Sequence, residues 1–362
     1  MDIETKISLI KEIGEEIITE KELRELLQTK EHPIAYDGFE PSGMAHLPFG
    51  IYRSINVENL LKAGIRFKLY IADWFGWLNN KMGGDLEKIK LVGKYFIEVW
   101  KAAGIDMKKV EVIWTSDVIK DPEYWKKVIL IAKNTTVSRA IRCLSIMGRK
   151  ETELKETAQL FYPMMQTADI FHLGADICQL GLDQRRANML AREIGPKLGW
   201  WKPVIVSHHM LMGLEGVKMP DGYDENRNID IQISSKMSKS KPETCIYVHD
   251  TKEEIWKKIN NAFCPEKVVE NNPILDYSKH IIFRKFGEMK VERPKKFGGD
   301  IIFERYEDLE KAFREGKLHP LDLKKAVADN LEILIKPIRE HFEKDKKAKE
   351  LYEIVRQQKI TR

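Results

Sequence analysis

Two lysines in one short segment of this chain could bind a polyphosphate. They belong to Lys236-Met237-Ser238-Lys239-Ser240. Two ammonium groups with hydroxyl side chains between them supply point charges and donors that can close over a triphosphate. The alternative is an exposed, solvated lysine loop, because short Lys/Ser patterns arise often by chance. Taken alone, the segment leaves both interpretations open.

A second phosphate-binding candidate is the glycine-containing segment 40–50, which directly follows a predicted strand. A turn from strand to helix leaves backbone N–H groups free, and the start of a helix favours anionic groups. His46 lies where its imidazole could donate to phosphate oxygens. Alone, such a histidine more often caps a helix or lies on the surface.

A third set of polar residues recurs with helical spacing. Tyr162, Gln166 and Asp169 stand at i, i+4 and i+7, which places them on one face of a helix. The segment around them is otherwise apolar, so burial of this face without a ligand would be unfavourable. The alternative is a polar face exposed to solvent. Asp183 and Gln184 follow soon after and favour a binding face.

Composition limits the class of protein. The 362 residues suffice for about two domains. Hydrophobic residues make up 43% and charged residues 32%, as in soluble globular proteins, and no apolar run approaches the roughly 20 residues of a membrane-spanning helix. The first residues lack a basic segment leading into an apolar one, so we expect a cytoplasmic protein. The net charge of +5 permits a polyanionic partner without establishing one.

The cysteines give no sign of a zinc site or a disulfide framework. No pair has C-x-x-C spacing, so we expect buried reduced thiols and no metal site. The four residues are Cys143, Cys178, Cys245 and Cys264.

Strands that alternate with amphipathic helices must position the polar residues. The sequence predicts helices near 51–64 and 85–103 and strands at 33–39, 67–73, 110–114 and 204–208. This alternation predicts an α/β fold with a doubly wound, Rossmann-type parallel sheet. Ligands on such a sheet collect at the carboxyl ends of its strands, which places the residues after Tyr36 and Asp73 in the crevice.

The rest of the chain is predicted to be mainly helical. We expect helix over the first thirty residues and a long helical section from about 121 to 200, broken around 174–181. Residues 214–243 are predicted to form a mobile loop before a further strand. We divide the chain near residue 247 into an α/β domain, 1–247, with a helical insertion at about 120–180, and a mostly helical domain, 248–362, which includes helices near 320–343 and 345–357.

The two phosphate-binding segments together resemble the paired signatures of class I aminoacyl-tRNA synthetases, His-Ile-Gly-His and Lys-Met-Ser-Lys-Ser. The second signature is matched in full. The first is matched at His46 and approximately at Leu47, whereas Pro48 and Phe49 replace the glycine and the second histidine. Substitution at those positions is familiar among archaeal and eukaryotic tyrosyl enzymes, and it leaves one histidine to do what two do elsewhere.

Over nearly its whole length the chain resembles the tyrosyl-tRNA synthetases of archaea and eukaryotes. The resemblance implies ATP-dependent activation of tyrosine to tyrosyl-adenylate and transfer of the tyrosyl group to the 3′ end of tRNA(Tyr), by a homodimer. The segments that carry it are 36–43, 72–74, 162–166, 181–185, the lysine segment, 297–300 and 318–324.

The resemblance also implies roles for the residues of the polar helix face. Tyr36 and Asp169 would hold the phenol hydroxyl of the substrate. Tyr162, Gln166 and Gln184 would hold its α-amino group.

The same resemblance implies an ATP site. Asp183 would bind the ribose, and Gly38 and His46 would lie near the phosphates, together with the segment Lys236-Met237-Ser238-Lys239-Ser240. His46, Lys236, Lys239 and a bound Mg²⁺ would counter charge on the transferring phosphoryl group.

Contacts with tRNA are implied at two places. Phe297 and Asp322 match positions that stack on and hydrogen-bond the first anticodon base. Basic residues in the insertion and beside the active-site turn would grip the acceptor end, although solvated basic faces are the ordinary alternative. These residues are Arg139, Arg142, Arg185 and Arg186.

Three other functions are alternatives to the activation of tyrosine. The tryptophan branch shares the fold and nucleotide loops, but an indole offers no hydroxyl for Tyr36 and Asp169. A catalytically inactive RNA-binding module is supported only by the incomplete first signature. A small-molecule nucleotidyltransferase would be shorter and would lack a helical RNA-binding domain.

Overall fold

A six-stranded sheet forms the centre of the computed structural model, which describes residues 1–148, 156–220 and 226–358. The strand order is β1-β6-β5-β2-β3-β4, with β1 antiparallel to β6 and the other neighbours parallel. The predicted α/β doubly wound sheet is therefore confirmed. The strands are β1 Gly14–Ile18, β2 Ile34–Phe39, β3 Arg66–Ile71, β4 Val110–Trp114, β5 Ile177–Cys178 and β6 Val204–His208.

Helices cover the sheet and make up most of the remaining chain. Those before β6 are α1 Ile3–Lys11, α2 Glu20–Thr29, α3 Arg53–Lys62, α4 Asp73–Leu78, α5 Leu86–Ala102, α6 Thr115–Val118, α7 Pro122–Lys133, α8 Val137–Cys143, α9 Phe161–His172 and α10 Arg185–Lys197. Those after β6 are α11 Arg227–Ser235, α12 Lys252–Asn261, α13 Pro273–Tyr277, α14 Arg284–Phe286, α15 Tyr306–Arg314, α16 Pro320–Lys344 and α17 Lys346–Arg356. No helix in these ranges is long and apolar enough to cross a membrane.

The central strands are apolar on both faces because helices cover both sides of the sheet. In β3, Phe67, Leu69 and Ile71 are buried on one side, and Tyr70 is buried on the other. Helix α5 packs its apolar side, which includes the fully buried Trp100, into the same core. The carboxyl ends of β2 and β3 are thereby held in register, with Gly38 opposite Tyr70.

Two predictions near the chain start and the lysine segment were wrong. The first thirty residues include an edge strand, β1, as well as helices. The five residues of β1 give no clear strand pattern in the sequence, because the strand is stabilised by its pairing with β6. Within the predicted mobile loop, helix α11 forms because the Asn226 side chain accepts from the backbone N–H of Asn228 (3.0 Å) and of Ile229 (3.4 Å). Residues 221–225 of that loop lie outside the described residues.

A third prediction, a strand after Ser240, was also wrong. A helical turn, Pro242–Thr244, follows instead, and extended pairing is limited to a single bridge between Tyr247 and His46. This bridge nevertheless has a consequence for the site, because it fastens the segment after the lysines to the first phosphate-binding turn.

The C-terminal part of the chain is helical with one added hairpin. Strands β7 Met289–Val291 and β8 Ile301–Phe303 pair antiparallel, and helix α17 packs on α5. One apolar core runs from residue 7 to residue 355 and crosses residue 247. The domain division near residue 247 therefore stays a prediction, and parts of it (149–155 and 359–362) lie outside the described residues.

Candidate active site

The predicted site residues meet at the carboxyl edge of the sheet. Strand β2 supplies Tyr36 and Gly38, and the turn after it supplies Glu40. Helix α9 lies across this edge and supplies Tyr162, Gln166 and Asp169, all of which are buried. The alternative of a solvent-exposed polar face is therefore wrong. Parallel strands bring their carboxyl ends to one edge, which explains why residues far apart in sequence meet here.

Asp169 is the centre of a buried hydroxyl cluster. Its Oδ1 accepts hydrogen bonds from Tyr70 Oη and Tyr124 Oη, each at 2.9 Å. Burial raises the pKa of the Asp169 carboxyl to about 8, although both tyrosines lower it. Tyr70 and Tyr124 were missed at the sequence level. One signal for Tyr70 was available. Tyr70 lies two residues after Lys68, and Lys68 pairs with Tyr36 across the two strands. Side chains two residues apart along a strand lie on the same face of the sheet, so Tyr70 and Tyr36 share a face.

Tyr36 presents an unsatisfied hydroxyl in the same cluster. Its side chain is 1% exposed, and within the described ranges its Oη has no hydrogen-bond partner. Burial, with Cys178 and Asp169 nearby, raises the pKa of this phenol well above its ordinary value. An unpaired buried hydroxyl costs about 1–3 kcal/mol. A ligand with a polar group at this depth would remove that cost.

The other two polar residues of α9 have partners outside the helix. Tyr162 Oη donates to Glu40 Oε1 at 2.6 Å, and Gln166 Nε2 donates to Gln184 Oε1 at 3.1 Å. Glu40 was missed although it stands at the end of β2, and Asn79 Nδ2 donates to both of its oxygens, at 3.0 and 3.1 Å. The carboxylate of Glu40 also lies 3.8 Å from Lys81 Nζ, so this side of the pocket contains an ion pair as well as the hydrogen bond to Tyr162.

A separate polar network lies behind β2 and was not predicted. Asp37 and Arg53 form a buried ion pair, and the Arg53 guanidinium also donates to Gln179 and lies 3.2 Å from Nδ1 of His208. Burial raises the pKa of Asp37 to about 7 in spite of Arg53. This network ties β2, α3 and β6 together beneath the site.

The first phosphate-binding turn is built on an aromatic core. Phe49, which stands where the second signature histidine would be, packs against Phe96 and Trp100 with ring centroids 4.0 and 4.9 Å away. Gly43 in this turn has a φ of 101°, a conformation that favours glycine. The replacement of the second histidine by phenylalanine therefore extends the core under the turn, and His46 remains as the polar side chain at its surface.

His46 is held neutral. Burial, together with Lys239 and Lys236 nearby, holds the pKa of His46 well below its ordinary value. Its Nδ1 is buried without a hydrogen-bond partner among the described residues. A neutral imidazole can donate one hydrogen bond to a phosphate oxygen but does not bring a positive charge.

The lysine segment closes over the first turn and joins the two signatures. Lys239 Nζ donates to the backbone oxygen and to Oγ of Ser42, at 3.0 and 2.9 Å. Lys236 Nζ pairs with Asp183 Oδ2 at 2.6 Å. Met237 anchors the segment, because its side chain is buried and its N–H donates to Leu211 O at 2.8 Å. The alternative of a solvated loop is therefore wrong for these residues.

The two lysines differ in environment. Burial lowers the pKa of Lys239 to about 8, whereas the Lys236 side chain is 34% exposed. Ser238 and Ser240 are exposed and bond to each other through their hydroxyls at 2.9 Å. Lys236 and Lys239 could bind the phosphates of a nucleotide once their present bonds to Asp183 and Ser42 are broken.

The basic residues predicted to contact RNA lie beside this edge and already have partners. Arg185 pairs with Glu16 at 2.9 Å, and Arg186 Nη1 donates to Arg142 O at 2.5 Å. The Arg142 side chain is exposed, and Arg139 pairs with Glu193 at 2.7 Å.

The residues predicted to bind the anticodon lie in the C-terminal part of the chain. Phe297 is 60% exposed at the end of a short helical turn, with Lys296 Nζ 4.9 Å from the centroid of its ring. Asp322 is half-buried in the first turn of α16. An exposed aromatic ring and a carboxylate are suited to a base, but they are not part of the site at the sheet edge.

Known proteins match this chain over nearly its whole length. The family described as tRNA synthetases class I (W and Y) matches residues 28–232 and 230–336. Tyrosine–tRNA ligase 1, cytoplasmic, from Arabidopsis thaliana is 46% identical over all of this chain and 90% of its own length. The tyrosine–tRNA ligase of Pyrococcus abyssi is 44% identical over the full length of both chains. The crystal structure of tyrosyl-tRNA synthetase from Pyrococcus horikoshii, complexed with L-tyrosine, superposes with a TM-score of 0.89 and 42% identity, covering 98% of this chain and all of that one.

Proposed function

The chain belongs to the class I tRNA synthetases, in the branch of the tyrosine–tRNA ligases, and we propose how its residues divide the work of that reaction. The enzyme activates tyrosine with ATP and transfers the tyrosyl group to tRNA. The specificity for tyrosine is supported by the buried end of the pocket, where Asp169 offers a carboxyl group and Tyr36 an unpaired hydroxyl. A phenol fits this pair, whereas an indole has no hydroxyl to offer it.

In this proposal Tyr36 and Asp169 bind the phenol hydroxyl of tyrosine. The acidic end of the pocket, formed by Tyr162 and Glu40, faces the α-ammonium group together with Gln166. Gln184 completes this side of the pocket through its bond to Gln166, and its Nε2 donates to Ile146 O at 3.1 Å. The substrate is thereby held at both ends, which orients its carboxylate toward the nucleotide.

ATP binding requires an exchange of partners in the lysine segment. Asp183 would leave Lys236 and accept from the ribose hydroxyls, and Lys236 would turn to the phosphates. Lys239 would leave Ser42 in the same way. A bound triphosphate also raises the affinity of Lys239 for its proton, which offsets the effect of burial. Gly38, His46, Met237, Ser238 and Ser240 complete this ATP site, with His46 as a neutral donor.

The first chemical step needs no side-chain base. The tyrosine carboxylate attacks the α-phosphorus of ATP in line, the bond to the bridging oxygen breaks, and pyrophosphate leaves. The nucleophile is already charged, so the contribution of the protein is positioning and charge stabilisation. The 3′-terminal ribose of tRNA then accepts the tyrosyl group, and AMP leaves.

Mg²⁺ would arrive with ATP as part of the substrate. Two carboxylates at this edge of the described structure are already engaged, Asp183 with Lys236 and Asp37 with Arg53. These residues do not form a dedicated cage of oxygen ligands. Mg²⁺ commonly keeps several waters and binds to substrate phosphates, which suits this site.

We further propose that tRNA(Tyr) binds along the basic edge and the C-terminal part. Arg142 and Arg185 would contact the acceptor end, while Phe297 would stack on the first anticodon base and Asp322 would accept from its edge. The enzyme would act as a homodimer in the cytoplasm, the compartment that the name of the Arabidopsis relative gives for that protein.

ATP–pyrophosphate exchange with each standard amino acid in turn tests the proposal. Exchange that depends on tyrosine alone supports it. Exchange with tryptophan alone would assign the chain to the tryptophan enzymes, and a chain that binds tRNA without any exchange would be an RNA-binding module.

A further inference from the structure

Two histidines and a carboxylate converge away from the proposed active site. His209 follows β6, Asp276 lies in α13, and His280 lies in the helical turn after α13. One ligand atom of each residue lies within 4.8 Å of the other two. His209 Nε2 is 2.7 Å from Asp276 Oδ1, and His280 Nε2 is 3.7 Å from the same oxygen.

The three side chains are largely but not completely buried. Their exposed fractions are 12% for His209, 9% for Asp276 and 15% for His280. The two imidazole rings stack with centroids 4.0 Å apart and an interplanar angle of 11°. The in-plane lone pairs of two stacked rings lie in nearly parallel planes, so one imidazole has to rotate before both rings and Asp276 can face one ion.

Neighbouring groups fix the orientation of two of these ligands. Glu15 Oε2 lies 3.4 Å from Nδ1 of His209, so the ring has a carboxylate behind it and Asp276 in front of it. The second oxygen of Asp276 accepts from the N–H of Met212 at 3.0 Å. A carboxylate behind a histidine is the arrangement that orients metal-binding imidazoles and increases their basicity.

The charge of the cluster suits a cation. Two carboxylates face the His209 ring, Asp276 at 2.7 Å from Nε2 and Glu15 at 3.4 Å from Nδ1. A proton between His209 and Asp276 occupies a position that a metal ion can take over.

A cavity of about 260 Å³ adjoins the cluster. It lies between α11, which contributes Gln232 and Ser235, and the C-terminal part, which contributes Tyr306. The cavity has room for water at open coordination positions and connects the cluster to solvent.

We propose that His209, Asp276 and His280 bind a divalent transition-metal ion, with zinc as the best match, and that Glu15 orients His209 for this purpose. Imidazole and carboxylate ligands with an open position are typical of zinc. Zinc bonds of about 2.0–2.2 Å in a tetrahedron place ligand atoms about 3.3 Å apart. The distances of His209 Nε2 and His280 Nε2 from Asp276 Oδ1 would therefore change by about half an ångström each, and one imidazole would rotate out of the stack so that both nitrogens face the ion. The displaced proton of His209 leaves to solvent.

Such an ion would connect the C-terminal part to the segment that leads into the lysine loop. Gln232 Nε2 donates to Glu15 Oε1 at 3.0 Å, and Met212 forms a bridge with Lys236. The ion would therefore fix the base of the lysine loop against α13. The proposal rests on the cluster alone and is independent of the amino acid that the enzyme activates.

Titration of the metal-free full chain with Co²⁺ and Zn²⁺ tests the proposal. We expect saturable binding of one ion per chain, a cobalt d–d absorption band that zinc abolishes, and a higher thermal midpoint with zinc. His280→Ala should abolish saturable binding, whereas His32→Ala, which alters an exposed histidine elsewhere, should leave it unchanged.

A milder variant keeps the test decisive if His280→Ala folds poorly. Glu15→Gln removes no proposed ligand and should weaken metal binding about 10- to 100-fold. Tyrosine-dependent pyrophosphate exchange by the metal-free variants checks their fold. Equal metal affinity in the wild type, Glu15→Gln and His280→Ala would overturn the proposal, as would a wild type without saturable binding. If the wild type shows no saturable binding, the cluster holds a proton between His209 and the carboxylates instead of a metal ion.

Discussion

Around Asp169 the active site is lined by uncharged hydroxyl groups on a strand and a helix. Around Lys236 it is lined by charged side chains on segments between the longer helices and strands. Tyr70 lies on β3 and Tyr124 on α7, and both donate to the same oxygen of Asp169. Lys236, by contrast, is bound to Asp183, a partner that ATP must replace. One half of the site is therefore preorganised for its ligand, whereas the other half is held closed by contacts that stand in for its ligand.

The difference has an electrostatic reason. A neutral phenol can be bound by fixed dipoles in a buried pocket without a large desolvation penalty. A triphosphate carries several charges, so the lysines that bind it need counterions in its absence. Asp183 is the counterion of Lys236, and the two neutral oxygens of Ser42 accept hydrogen bonds from Lys239.

The largest expected effect is on the charged half. Lys236→Ala and Lys239→Ala should each lower the rate constant of adenylate formation about 100- to 1000-fold, because each removes charge from the transition state. Tyrosine affinity should not change. Pre-steady-state adenylate formation and equilibrium tyrosine binding measure the two quantities, and Lys241→Ala, which breaks a surface pair with Glu215, is the matched control. An unchanged rate constant would remove the distinction between the two halves.

The next effect is on the neutral half. Tyr36→Phe should weaken tyrosine binding about 5- to 150-fold, the equivalent of about 1–3 kcal/mol, because the phenol loses its partner. The free enzyme should be no less stable, since the hydroxyl has no bond to lose. Equilibrium binding of tyrosine and of phenylalanine provides the measurement.

Tyr52→Phe is the control for Tyr36→Phe. Tyr52 is also buried, and its hydroxyl also lacks a bond among the described residues, but its ring packs against His208 and His280 rather than Asp169. Tyrosine binding should be the same as in the wild type. If both variants lost affinity equally, the effect would come from packing rather than from the phenol site.

A smaller effect is expected from pH. The lowered pKa of Lys239, about 8, means that its ammonium is charged below pH 8 and is lost as the pH rises through that value. At saturating tyrosine, kcat/KM for ATP should fall about tenfold per pH unit above pH 8, because this ratio reports the free enzyme. Lys239→Arg should move the decline to higher pH. A profile that is flat to pH 10 would show that Lys239 does not act as a cation in ATP capture.

The smallest effect on activation is expected from a residue outside both halves. Asp322→Ala should leave pyrophosphate exchange unchanged and lower kcat/KM for tRNA about 5- to 30-fold, the equivalent of one or two kcal/mol. Asp329→Ala on the same helix is the control, since that carboxylate is bound to Lys325 on the surface. Equal losses in both assays would give Asp322 a structural role instead.

The fold class and the two nucleotide-binding segments could be predicted from the sequence alone. Apolar runs such as Phe67–Ile71 and the helical spacing of Tyr162, Gln166 and Asp169 are local signals, because strand and helix periods are fixed by backbone geometry. The resemblance carried by the motifs then indicated the amino acid. The edge strand β1 was not predictable in this way, because its pairing with β6 stabilises it. Helix α11 did have a local signal in its N-cap Asn226, which the many polar residues around it obscured.

The hydrogen-bond partners of the site residues could be read only from the tertiary structure. Tyr70 and Tyr124 reach Asp169 from positions 99 and 45 residues away along the chain, and Glu40 reaches Tyr162 across 122 residues. The convergence of His209, Asp276 and His280 was likewise not visible in sequence, where no metal site was expected. Such contacts depend on the packing of distant elements, which local periodicity does not encode.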